Sequence, residues 1–138
     1  MKRKLTAFIP IAVAAGILAG LAIAGNSTIP TTVSFDTVGT DSSAPPDRDF
    51  NIAGHVGSAK LKCLANRIVT ITAGYENETT THPFDVARSG LHGGFAGFGP
   101  SKHNGNDIAA AKFVVKPKQI GTKQHPRKCG RAADAAGH

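Results

Sequence analysis

Apolar and polar side chains alternate with a period of two from Phe50 to Val56, where Phe50, Ile52, Gly54 and Val56 share one side and His55 points to the other. Successive strand side chains face opposite sides, so this run predicts a half-buried strand. Ile68 to Ala73, "IVTITA", is β-branched throughout with bulky apolar residues on both faces, which suits a central strand. Phe84 and Val86 fall on one face of a third short run that ends at "SGLHGG", and Phe95 to Phe98 forms a fourth. A fifth, Ile108 to Lys116, is closed by Pro117. The alanines at 109–111 invite a helix, but Phe113-Val114-Val115 and the proline stop favour a strand. "GYENETTTH" and "GPSKHNGND", with its Asn104-Gly105 pair, supply turn chemistry between the runs. Short strands recurring about every ten residues predict an all-β fold, a small antiparallel β-sandwich.

The first 24 residues are of another kind. Lys2, Arg3 and Lys4 precede an uncharged stretch from Leu5 to Ala24 that ends in Ala22-Ile23-Ala24, a small-x-small site for cleavage between Ala24 and Gly25. The same stretch, at about 1.5 Å per residue, is roughly 30 Å long and would also serve as a retained membrane anchor. Both readings send the chain out of the cytoplasm, to the cell surface or the medium, and only the second brings it to a membrane. Four regions follow: a leader at 1–24, a Thr/Ser/Pro/Asp-rich spacer at 25–48 with one short strand at Thr32–Asp36, a sandwich at 49–131, and a disordered tail at 132–138.

Export changes the reading of the two cysteines. Cys63 and Cys129 enclose 65 residues, and in an exported chain a single pair is expected as an intramolecular disulfide. A reactive thiol favoured by Lys60, Lys62, Arg127 and Lys128 is the competing reading, and two cysteines alone lack a zinc-like spacing.

Charge adds a direction to the molecule. The whole chain carries 16 Lys and Arg against 9 Asp and Glu, and loss of the leader leaves 13 against 9, a net charge of +4. Asp36, Asp41, Asp47 and Asp49 make the beginning acidic, whereas Lys112, Lys116, Lys118, Lys123, Arg127, Lys128 and Arg131 make the end basic. No nucleic-acid motif or interleaved aromatic accompanies them, so a specific nucleic-acid partner is not expected. A solvated strand and tail, or contact with an anionic wall polymer or lipid head groups, accounts for the series.

Little in the chain names a reaction. The six histidines, His55, His82, His92, His103, His125 and His138, read as solvated loop or strand residues, with no metal ligand set and no cofactor assigned. "GLHGGFAGFG" lacks a nucleophile elbow and a phosphate-loop lysine, and its glycines suit a tight hairpin. Asn26-Ser27-Thr28 and Asn77-Glu78-Thr79 match the glycosylation sequon, with Asn77 the accessible one in its turn.

"FNIAGHVGSAKLKCLANRIVTI" resembles the opening of the Ig-like and carboxypeptidase-regulatory-like (transthyretin-type) β-sandwich domains of secreted bacterial proteins, through Phe50, Gly54, Val56, Cys63, Arg67, Val69 and Ile71. "DVARSGLHGGFAGFGP" resembles the same domains' hairpin through Asp85, Ser89, Gly90, Gly94 and Phe95, and "AAKFVVKPKQIGTKQHPRKC" their closing strand and cysteine tail. The likeness covers 49–131; it departs at Ala87 or Arg88, where Thr is commoner, and at Phe113, where Tyr is commoner. It implies a non-catalytic accessory or adhesive module. The expected function is therefore a binding or structural role, with a surface protein or anionic wall polymer as partner, met through a sheet face or the 99–107 loop. A small secreted hydrolase using His92 and its glycine-rich loop is the alternative, and a membrane-anchored surface protein is a third.

Overall fold

The computed structural model describes residues 28–137; the leader, the Ala24–Gly25 junction, the Asn26 sequon and His138 lie outside it. The strands are β1 (Thr28–Ile29), β2 (Thr32–Thr40), β3 (Phe50–Gly57), β4 (Ile68–Tyr75), β5 (Thr81–Arg88), β6 (Gly94–Gly99), β7 (Lys102–His103), β8 (Asn106–Val115), β9 (Lys118–Gly121), β10 (Pro126–Cys129) and β11 (Ala132–Gly137). The described residues hold no α-helix, only a short 3₁₀ turn at Leu61–Cys63.

Two antiparallel sheets form a small all-β sandwich. One has the order β11-β8-β4-β5, with β7 folded onto β8, and the other β2-β3-β6. As its β-branched run predicts, β4 is central, flanked by β5 and β8. Between the sheets Phe113 stacks on Phe35 at 4.0 Å and meets Phe95 edge-on at 4.9 Å, while Ile52, Val69, Ile71 and Val115 are almost wholly buried. Gly54 is needed there, because a Cβ would collide with the Ser34 carbonyl and the rings of Phe95 and Phe113.

The sandwich is longer at both ends than 49–131. Inside the supposed spacer, β2 pairs along its length with β3, from Thr32 opposite Gly57 to Thr40 opposite Phe50. Its alternation is broken at Asp36, a bulge residue that shifts the register between Phe35 and Thr37. The supposed disordered tail is also a strand: Ala132 to Gly137 pairs antiparallel with Val115 to Ala110 of β8. Backbone pairing to β8, with Ala132 buried in the core, makes a strand of a segment that composition alone reads as a low-hydrophobicity tail.

A second bulge corrects the reading of β5. Ile71 lies opposite Asp85 and Thr72 opposite Pro83, which leaves Phe84 as the extra residue. Phe84 and Ala87 are therefore the buried residues of this strand, and Val86 is 64% exposed rather than sharing Phe84's face. Asp85 accepts the backbone N–H of Phe98 at 2.8 Å, linking β5 to β6 where the two sheets meet.

One group works against this core. Asp134 on β11 is buried, accepts the Ala135 N–H through Oδ1 at 2.9 Å, and leaves Oδ2 without a partner. Burial raises its pKa above the ordinary carboxylate value. The folded state then holds the proton more tightly than the unfolded chain, so stability falls as pH rises through the interval between the ordinary and the raised value. Asp134→Asn should raise stability at neutral pH by about 1 kcal/mol, and urea titrations from pH 4 to 7 should show the parent's acid-side gain flattened in the variant.

Candidate functional site

Beyond the sandwich stands a separate end piece made of β1, β10 and β9, with β1 parallel to β10 and β9 antiparallel to it. Its small core is Ile29, Cys63 and Cys129, with Ile120 packed against them. Cys63 and Cys129 form the disulfide expected of them, which returns the end of the chain to the start of β4. Lys118 Nζ donates to the carbonyls of Lys62 at 3.2 Å and Ala65 at 2.8 Å, which closes the 3₁₀ turn against β9.

A buried cation joins this piece to the sandwich. The Arg67 guanidinium, 1% exposed, donates through one terminal nitrogen to Cys63 O at 2.7 Å and Thr31 Oγ1 at 3.2 Å. Through the other it donates to Lys116 O at 2.8 Å and Gly130 O at 2.7 Å. Its backbone N–H goes to Ser89 Oγ, which in turn donates to Leu64 O. Burial lowers the guanidinium pKa, yet arginine stays protonated in proteins. That Arg67 is sealed away with carbonyls for counter-groups is visible only in the fold.

Folding also separates charge. The segments 28–31, 58–67 and 116–131 that build the end piece contain nine Lys and Arg and no Asp or Glu. Lys60, Lys62, Lys116, Lys123, Lys128 and Arg131 are exposed and Arg127 half-buried. Of the basic series read from the sequence, Lys112 stands apart on β8 and Lys118 is engaged with carbonyls; the others share this surface with Lys60 and Lys62, which the linear series omits. About 23 Å away along β4, Glu76, Glu78 and Asp107 lie at the other end of the sandwich, where Asp49 also binds the backbone N–H and hydroxyl of Ser101 at 2.8 and 2.7 Å.

That acidic end holds an arrangement the sequence reading missed. His82 and His103, assigned to solvated turns, meet Glu78: His103 Nδ1 lies 2.8 Å from Glu78 Oε1, and His82 Nε2 lies 3.5 Å from Glu78 Oε2. The two imidazoles are 4.0 Å apart, and the Tyr75 ring borders both at 5.4 and 5.8 Å. Glu78 is carried by the β4–β5 turn, which Asn77 enters with a left-handed φ of 62°. His103 ends β7, where Asn104 and Gly105, φ 49° and 78°, form the two-residue turn into β8. The four-residue spacing of Glu78 and His82 was the available signal, but a turn lies between them and His103 arrives from a different hairpin.

The remaining histidines take other places. His55 is exposed on β3 and pairs with Asp36, the bulge residue of β2; such an exposed pair contributes little. His92 is exposed in the β5–β6 connection and has no hydrogen-bonding or ionic partner among the described residues. Asn77, the accessible sequon residue, is exposed and its amide lies 3.4 Å from Asn106 Oδ1.

No protein-family model matches the chain, and no curated protein or solved structure matches it either.

Proposed function

We propose that the protein is an exported, non-catalytic module, an Ig-like or transthyretin-like sandwich that binds anionic cell-wall polymer through its disulfide-tied end piece. The observation that carries this reading is the charge of that end: Lys60, Lys62, Lys116, Lys123, Arg127, Lys128 and Arg131 face outward, and no acid lies in the segments that form it. A surface of one sign attracts a polyanion through many weak contacts and needs no shaped pocket. The Cys63–Cys129 bridge is compatible with an extracytoplasmic location. Ser89, the hydroxyl nearest in sequence to His92, spends its oxygen on Arg67 and Leu64, which suits a structural rather than a nucleophilic role.

The test is sedimentation with purified walls before and after chemical removal of their anionic polymer. The parent should bind the intact walls, lose binding as salt rises, and lose it on the stripped walls. Lys123→Glu, Arg127→Glu and Lys128→Glu combined should weaken binding about tenfold or more. Binding indifferent to both salt and charge reversal overturns the proposal, and retention on stripped walls points instead to a protein partner.

A further inference from the structure

We propose that Glu78, His82 and His103 form a binding site for one divalent ion of the zinc class. Two imidazoles and a carboxylate are a donor set that such ions prefer. Each of the three residues offers a ligand atom, and these atoms all lie within 4.8 Å of one another.

The unsatisfied atoms locate the ion. Glu78 Oε2 and His82 Nε2 are both buried and both without a hydrogen-bond partner. They face each other at 3.5 Å, beyond a good hydrogen bond. Ligands bonded at about 2.0 to 2.1 Å in a tetrahedral zinc site lie about 3.3 Å from each other, so the pair already has nearly the separation of two corners of that tetrahedron. An ion placed between them would satisfy both atoms at once. His103 completes the set through Nδ1, the ring nitrogen turned toward Glu78 Oε1 at 2.8 Å; with its proton on Nε2, Nδ1 offers a lone pair to the same ion. The Tyr75 hydroxyl is already given to Pro100 O at 3.0 Å, so the ring is a wall of the site and not a ligand.

The setting favours a cation. The turn that carries Glu78 is held by Glu76 N–H to Asp107 O at 2.8 Å and Glu78 N–H to Tyr75 O at 3.2 Å, and the other hairpin by its Asn104-Gly105 turn. Glu76 adds negative charge in the same turn, while Asp107 is balanced by Lys102 Nζ at 3.1 Å. His82 and His103 keep 29% and 36% of their side chains exposed, enough for an ion to enter and for water to take a fourth position. The site is independent of the cationic end piece, which lies at the opposite end of β4.

The experiment is isothermal titration of the disulfide-intact, tag-free protein with Zn²⁺, with Co²⁺ as a spectroscopic probe. We expect one ion per chain. His82→Asn, His103→Asn and Glu78→Gln should each weaken binding about tenfold or more, whereas His55→Asn and His125→Asn should leave it unchanged. Proton NMR of the parent should show Zn²⁺ perturbing the ring signals of His82 and His103 alone, a readout that holds even if a variant fails to fold. No Zn²⁺ uptake, uptake unaffected by the three substitutions, or ring shifts confined to other histidines would each overturn the assignment.

Discussion

Reducing the Cys63–Cys129 bridge, or replacing both residues by alanine, should lower the stability of the protein by about 4 kcal/mol, a large fraction of the net stability of a domain this size. The residues it joins are 66 positions apart, so opening it returns a long loop's worth of freedom to the unfolded chain. The loss should also be unevenly distributed. β10 hydrogen-bonds to β1 and β9 and to neither sheet of the sandwich, so the bridge is a main tether of the end piece. Urea unfolding with and without reductant measures the first effect. Hydrogen exchange measures the second, with the amides of β9 and β10 expected to open first and those of β4 last. An unchanged urea midpoint in the reduced protein would contradict both.

Arg67→Met should cost about 3 to 5 kcal/mol with the disulfide intact. The substitution fills much of the volume but leaves the carbonyls of Cys63, Lys116 and Gly130 and the Thr31 hydroxyl without their donor. Unmade hydrogen bonds in a sealed interior carry the full desolvation penalty of each acceptor. Arg67→Lys should lose most of the same amount. A single ammonium on a flexible stem does not reproduce the planar fork that reaches one pair of acceptors from each terminal nitrogen. Urea midpoints of both variants within 1 kcal/mol of the parent would show that these contacts contribute little. Because Arg67 and the bridge hold the same segments, losing both should destabilise by less than the sum of the separate effects.

The elements that sequence reading finds carry a clear local pattern. β3 alternates in burial as its apolar pattern does and β8 carries Phe113 and Val115 into the core, whereas β4, apolar on both faces, is found by its β-branched run and buries only the face of Val69, Ile71, Ala73 and Tyr75. Of β2 the same reading finds only Thr32–Asp36, and β11 escapes it, for different reasons. In β2 the bulge at Asp36 breaks the period of two, and Thr and Ser occupy the wetted face of an edge strand. In β11 the alanines offer almost no hydrophobic signal, and the strand is held by backbone pairing to β8 with Ala132 buried in the core. Phe84 shows the limit most sharply: one inserted residue moves the buried face, and the exposed Val86 is the result.

By itself the sequence determined the all-β class, the central place of β4, the pairing of the two cysteines and the basic character of the last third of the chain. Each depends on residue type, local period or the count of a rare residue. Only the tertiary structure decided that Lys60 and Lys62 join the C-terminal cations on one surface, that Arg67 is buried among carbonyls, and that Glu78, His82 and His103 converge. Those arrangements depend on strand register and on which loops share an end of the sandwich. Register is set by bulges and by two-sheet packing, which act between segments tens of residues apart and leave no periodic trace in either segment alone.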